Sequence, residues 1–244
     1  MIVRARWGNR LSTACDSFEN EQMKKSNPNN TVITIATLIP LFFVIVVLFF
    51  WWYTSERPSP AQGAVVDRTT LTRPHSPRNG SADAPVSVVE FFDPACETCR
   101  TFYPMVKQLM KQHPGRIQLV MRYAPFHQGS DKVVAVLEAA RIQGKFWEAL
   151  EALFDSQGTW ASNHTAKVDL ALKYLDGIGL NMEQLAFDVT APEVLQAVAQ
   201  DLKDANALGV SQTPEYFVNG RPLPTFGFQE LQQLVIEELT KSRQ

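Results

Sequence analysis

The sequence predicts an α/β domain of order βαβ, helical block, ββα, preceded by one apolar span. Three observations carry that prediction. Val86 to Met105, VSVVEFFDPACETCRTFYPM, reads as a buried strand that breaks at Asp93-Pro94 and continues as a helix. Ser211 to Pro224, SQTPEYFVNGRPLP, returns to strand pattern on both sides of Asn219-Gly220, the signal of a tight type I′ hairpin. Between them, Ser130 to Ala207 is helical in pattern.

A chain of 244 residues holds one domain with additions or two small ones, and no internal repeat divides it. The formal net charge of -2 offers no argument for nucleic acid. Three cysteines are too few for a disulfide scaffold, so an apolar core must stabilise the fold.

Residues 1–30 are polar and of mixed charge, and Met23-Lys24-Lys25 offers a second start besides Met1. They read as a short cytoplasmic tail, in which Cys15 has no assigned role. Residues 31–53 read as an uncleaved membrane anchor. Val32 to Tyr53 carries no charge and is long enough for a hydrocarbon core of about 30 Å. Pro40 is tolerated in such a helix, and Trp51, Trp52 and Tyr53 form an interfacial aromatic cluster. Lys24, Lys25 and Arg10 on one side nearly balance Arg57, Arg68 and Arg73 on the other, so charge alone leaves the orientation open. Residues 54–80, with Pro58, Pro60, Pro74 and Pro77, read as a linker with a span of roughly 28 Å, in which Val65-Val66 starts a short edge strand.

The globular domain is placed at 81–241. Its first strand carries Val86, Val88, Val89, Phe91 and Phe92; the following helix presents Phe102, Met105, Val106 and Leu109 on one face. Pro104 should kink that helix, and Pro114-Gly115 should end it. Arg116 to Tyr123 is the next strand, which makes a right-handed βαβ unit with the Cys96 turn at the carboxyl end of its strand. The helical insertion, at about 128–208, divides at Gly144. It includes a helix over Thr165 to Leu175 and a capping box, Thr190 to Glu193, with Pro192 in the first turn. Such a block packs over the sheet as a cap beside the two cysteines. Pro222 and Pro224 put the last strand at an edge, and Phe228 to Leu239 closes the chain as an amphipathic helix.

Cys96 and Cys99 are separated only by Glu97 and Thr98. Between a strand and a helix, the first sulfur lies at the helix N-terminus, where unpaired N–H groups and the macrodipole favour a thiolate. The second lies one turn deeper, within reach of a disulfide. Redox chemistry is the reading that fits this placement best. A zinc site needs about four ligands, whereas the other cysteine is Cys15 and the four histidines show no ligand spacing. A purely structural bridge over so short a loop restrains the unfolded chain little.

The stretches SADAPVSVVEFFDPACETC (81–99) and GVSQTPEYFVNG (209–220), with the lead-in RPHSPRNG (73–80), resemble the DsbA-like thiol–disulfide oxidoreductases. The resemblance covers roughly residues 70–240 and implies a thioredoxin-like fold with a helical insertion. By that resemblance Cys96 is the nucleophile and Cys99 the resolving thiol. Thr213-Pro214 is then a cis-proline turn facing the dithiol, with the Thr213 backbone pairing with substrate. Glu90, six residues before Cys96, takes the position of a buried carboxylate that accepts the Cys99 proton, with Arg122 as a charge partner. Glu97 departs from the usual dipeptides of the group and is expected to raise the Cys96 pKa, giving a milder couple than the strongest oxidases.

The implied function is exchange of disulfides with extracytoplasmic protein clients, at the periplasmic or outer face of the inner membrane. No cofactor or metal beyond the Cys96–Cys99 pair is implied, and the recycling partner would be a membrane protein of the DsbB or DsbD type. Two other readings share the motif: a dedicated reductase for cytochrome or copper-site maturation, and a chaperone or metal-delivery module that uses the dithiol as ligand.

Overall fold

The computed structural model describes residues 65–242 together with Val44–Val46, Leu48 and Phe49. The chain divides into two units, Met1–Pro58 and Ser59–Gln244. In the first, the five described residues are helical. Apart from those five, the anchor expected at 31–53 lies outside the described residues, and among the described residues no helix is long and apolar enough to cross a membrane.

The second unit begins with α1 (Arg68–Leu71) and β1 (Arg78–Asn79), followed by β2 (Val86–Phe92), α2 (Glu97–Gln112) and β3 (Ile117–Tyr123). The insertion contributes α3 (Ser130–Ile142), α4 (Phe146–Trp160), the hairpin β4 (Ala161–Ser162) and β5 (Thr165–Ala166), α5 (Val168–Ala171), α6 (Met182–Asp188) and α7 (Pro192–Ala207). After it come β6 (Glu215–Val218), β7 (Arg221–Pro222) and α8 (Phe228–Lys241). The five-stranded sheet has the order β1-β3-β2-β6-β7. β2 and β3 run parallel with α2 as their crossover, whereas β6 and β7 add antiparallel.

Alternation along β2 sends its residues to two different cores. Val86, Val88 and Phe92 pack with Tyr103, Val106 and Leu109 of α2 and with Leu231 and Val235 of α8. Val89 and Phe91 pack on the other face with Val120, Phe217, Leu71 and Ala205. Glu90 has the parity of Val88 and Phe92 and therefore shares the face of α2.

The second face also holds the main charged cluster of the fold. Arg122 is fully buried over the Phe91 ring and donates to Asp201, Asp204 and the carbonyls of Thr70 and Leu71. Asp201 accepts further from the Tyr123 N–H at 2.8 Å and lies 2.6 Å from His75 Nε2. Arg73 grips Asp204 through two bonds. Burial raises the Asp204 carboxyl, but the bonds from Arg73 and Arg122 outweigh it and hold the group at about 2. Its stabilising contribution is present above the ordinary carboxylate value and is lost as pH falls through about 2.

The structure corrects four expectations. Arg122 is no partner of Glu90: it pairs in register with Phe91 and points to the opposite face. From Asp67 onward the stretch read as linker is built into the fold, with Leu71 and Ser76 buried and β1 paired to β3. Its prolines and polar residues hid contacts supplied by distant partners. Val65-Val66 forms no strand, although Val66 donates one bond to Gly220 O. The capping box is absent as well: α7 has Ala191 as its N-cap without a side-chain bond, and the Thr190 hydroxyl turns back to Phe187 O. Pro192 at the first position needs no N–H partner, which removes much of the demand for a cap.

The expected hairpin is present. Asn219 and Gly220 both have positive φ, 48° and 85°, and a Cβ on Gly220 would meet Val66 O at 2.5 Å. Asn219 Oδ1 also accepts from Ser87 N, tying the turn to β2.

Replacing Asp201 with Ala removes the acceptor of Arg122 Nε and of the Tyr123 N–H, while Asp204 still pairs with Arg122. A loss of about 1–3 kcal/mol for each orphaned donor is expected. It should be read as a lower urea midpoint at unchanged slope; a midpoint within error of the parent would show the cluster to be idle.

Candidate active site

The dithiol turn is held before either sulfur acts. β2 ends at Phe92, and the buried Asp93 accepts from Ala95 N through Oδ1. Its Oδ2 accepts from the N–H groups of Phe126 and His127 and from the Ser130 hydroxyl, and lies 2.8 Å from His127 Nδ1. One carboxylate thereby ties the β2–α2 turn to the loop that enters α3. From the insertion, Gln157 of α4 donates to Pro94 O and Cys96 O at 2.8 and 3.0 Å. The helical block is thus a working neighbour of the dithiol, fixing the backbone on which Cys96 sits.

Cys96 is the N-cap residue of α2, with extended φ and ψ of -77° and 119°. It is 6% exposed, whereas Cys99 is wholly buried, and both are free thiols. Cys96 Sγ lies 3.2 Å from Thr213 O, across from the Thr213-Pro214 peptide bond, which is cis. A hydrogen bond from the Cys99 thiol is the largest influence on Cys96. Burial opposes it, while Thr213 and the backbone N–H groups of Cys99 and Thr98 assist, and the thiol is held down to about 5. Cys99 is pushed up, chiefly by burial, then by its bond to Cys96 and by the charge of Glu90. Cys96 is the more acidic and the slightly more accessible of the two thiols, and Cys99 lies wholly buried behind it.

Glu90 is completely buried beneath this pair, in register with Tyr216 of β6. Burial pushes its carboxyl up to about 8, with Tyr216 pulling the other way and Cys96 adding to the rise. Glu97, in contrast, is exposed, and the groups that govern Cys96 are the neighbouring thiol, Thr213 and the helix N–H groups. Beside Cys96 lies a cavity of about 350 Å³ lined by Thr98, His127, Asn163 and His164 among others, with the two imidazoles stacked at 5.3 Å. Among the described residues no three of His, Cys, Asp and Glu gather as a metal ligand set.

The fold therefore brings together Cys96, Cys99, Thr213, Pro214 and Glu90, and leaves Glu97 on the rim. Sequence reasoning passed over Asp93, His127, Gln157 and Tyr216. Asp93 is legible in the sequence as the polar residue closing an apolar strand, a position that marks a strand break but not its five contacts. Gln157 lies 61 residues from Cys96, and nothing local marks it.

A thiolate at a helix N-terminus, backed by a buried thiol and faced by a cis-proline turn, defines a thioredoxin-fold dithiol protein. Comparison with known proteins agrees. A family profile described as thioredoxin matches residues 72–237. A thioredoxin-like oxidoreductase from Silicibacter pomeroyi DSS-3 superposes with a TM-score of 0.62 at 32% identity, covering 72% of this chain and 99% of that one. Oxidised BdbD from Bacillus subtilis gives 0.63 at 22% identity, over 73% of this chain and 100% of its own. Among curated sequences, the Na(+)/H(+) antiporter NhaA of Herminiimonas arsenicoxydans is 31% identical over 144 residues, 59% of this chain but 22% of the antiporter. The chain spans about a quarter of the length of the curated relatives it matches. It belongs to the thioredoxin family.

The thiolate absorbance of the reduced protein should titrate with a midpoint of about 5 and vanish from that range in Cys96→Ser. Cys99→Ala removes the largest stabilising bond and should raise the midpoint by about one unit or more. An unmoved midpoint would assign the acidity to the helix N-terminus alone. The folded value lies below the free-thiol value of about 8.5. The thiolate therefore stabilises the reduced fold above that value, and the contribution disappears as pH falls through about 5.

Proposed function

We propose that this chain is a membrane-anchored thiol–disulfide oxidoreductase that passes disulfides to extracytoplasmic protein clients through Cys96 and Cys99. The observation that carries this reading is the asymmetry of the pair, with an acidic Cys96 at the surface edge against the cis Thr213-Pro214 turn and Cys99 buried behind it.

In the donor direction a client thiolate attacks Cys96 Sγ of the Cys96–Cys99 disulfide. The client–Cys96 bond forms, the internal bond breaks, and Cys99 leaves with the electron pair. Glu90, which retains its proton up to about pH 8, protonates that leaving sulfur. A second client thiolate then attacks its own sulfur in the mixed disulfide, and Cys96 leaves as the thiolate that the helix N-terminus and Cys99 stabilise. The client has lost two electrons and the pair has gained them. Sulfur exchange needs no added cofactor. The Thr213 backbone beside the cis peptide bond offers a pairing edge for the client chain during these steps.

A stabilised Cys96 thiolate favours the reduced pair and so makes the disulfide oxidising. A thiol near 5 falls between the strong oxidant DsbA, about 3.5, and thioredoxin, about 7. Reoxidation would come from a membrane partner of the DsbB type; a DsbD-type donor would serve the opposite direction. The apolar span at 31–53 supports anchoring in the inner membrane with the dithiol domain on the periplasmic or outer side, the compartment in which disulfides persist.

Equilibrating the full chain in detergent with glutathione buffers should give a potential of about -180 mV, between about -120 mV for DsbA and about -270 mV for thioredoxin. A value at or below that of thioredoxin would reverse the direction of electron flow and make the protein a reductase.

A further inference from the structure

Tyr216 lies two residues beyond the cis-proline and is fully buried in β6, directly opposite Glu90. Its ring stacks on Phe102 of α2 with centroids 6.2 Å apart and planes at 20°. For that packing a phenylalanine would serve as well, so the ring does not account for the hydroxyl. A buried hydroxyl without a partner costs about 1–3 kcal/mol. The Tyr216 Oη and both Glu90 oxygens make no hydrogen bond of ordinary geometry here, although the two groups are near enough for Tyr216 to favour the charged carboxylate. Three buried polar atoms without hydrogen-bond partners thus lie together beneath the dithiol. The ionisable groups that face Glu90 are Cys96, Cys99 and Tyr103 from α2 and Tyr216 from β6. Its neighbour on β3 is Met121, and Arg122 lies on the far face. No cation within that set balances a negative Glu90.

We propose that Tyr216 is a positioning residue for Glu90: when the carboxyl ionises, the Tyr216 hydroxyl closes on it and donates a charge-assisted hydrogen bond, which holds it ready to exchange a proton with Cys99. The inference rests on Glu90 being the proton partner of Cys99. In the step concerned, Cys99 gives its proton to Glu90 and attacks Cys96 Sγ of a mixed disulfide. The Cys96–Cys99 bond forms, the bond from Cys96 to the departing thiol breaks, and that thiol leaves as thiolate. A hydrogen bond to the charged form lowers the pH at which Glu90 can accept the proton. Losing the hydroxyl therefore moves that pH upward.

The test follows release of glutathione from a Cys96–glutathione mixed disulfide of the full chain, in a single turnover across pH. In Tyr216→Phe, which keeps the stack on Phe102, the rising limb should move up by about one unit, making release about tenfold slower at neutral pH. In Glu90→Gln that limb should be absent, and adding Tyr216→Phe to it should change nothing more. A Tyr216→Phe profile that superimposes on the parent, with Glu90→Gln altered, overturns the role of Tyr216 and leaves the Glu90 relay standing. An unaltered Glu90→Gln profile removes the relay and this inference with it. In the unmutated protein, the ring-carbon signal of Tyr216 next to its hydroxyl should titrate with the Glu90 carboxyl. A flat signal through that midpoint overturns the proposal without any variant.

Discussion

The hydrogen bond from the buried Cys99 thiol to the Cys96 sulfur is the interaction on which the site depends. No lysine or arginine figures among the groups that act on Cys96. Its thiolate is stabilised by that bond, by Thr213 and by the first N–H groups of α2, with burial working against all three. Such dipoles act only over short distances and in fixed directions. Their placement therefore has to be rigid, which accounts for how much of the surrounding structure is devoted to one turn. Asp93 locks the turn from inside through five contacts, and Gln157 holds it from the insertion.

The same reasoning explains why the fold keeps its charges on separate faces of the sheet. On one face Glu90 lies among apolar side chains, two tyrosines and the two thiols, and its carboxyl is raised to about 8. On the other, Arg122 and Arg73 meet Asp201 and Asp204, and Asp204 is lowered to about 2. Had Arg122 shared the face of Glu90, the pair would have fixed Glu90 as a permanent anion, unable to carry a proton near neutral pH. The charged cluster instead fastens the lead-in segment and α7 to the sheet. The N-terminal approach and the insertion are thereby tied to the strand next to the dithiol.

Where the sequence was legible, the signal was local. The dithiol turn, the Asn219-Gly220 hairpin, the strands and the longer helices all follow from short-range patterns whose physical causes lie within a few residues. Glu90 was recognisable because a carboxylate in an apolar strand needs explaining. Its partner was misassigned because parity across a parallel pair depends on register. Val89 pairs with Val120, so Phe91 takes Arg122 and Glu90 takes Met121. A shift of one residue would have made the opposite assignment correct. Tyr216, Gln157 and the contacts of Arg73 and His75 with α7 depend on three-dimensional closure, and no spacing in the chain encodes them.

Glu97 shows why proximity in sequence is a poor guide to electrostatic influence. It adjoins the nucleophile, and a carboxylate at a helix N-terminus should oppose a thiolate there. Yet its side chain is exposed, so water and salt screen its charge, whereas the Cys99 thiol and the helix N–H groups act inside a poorly polarisable interior. At equal separation a dry contact is worth several times a wet one. The acidity of Cys96 is consequently decided by the residue one turn deeper. Of the two intervening residues, Thr98 acts through its backbone N–H, whereas the exposed Glu97 side chain is left to solvent.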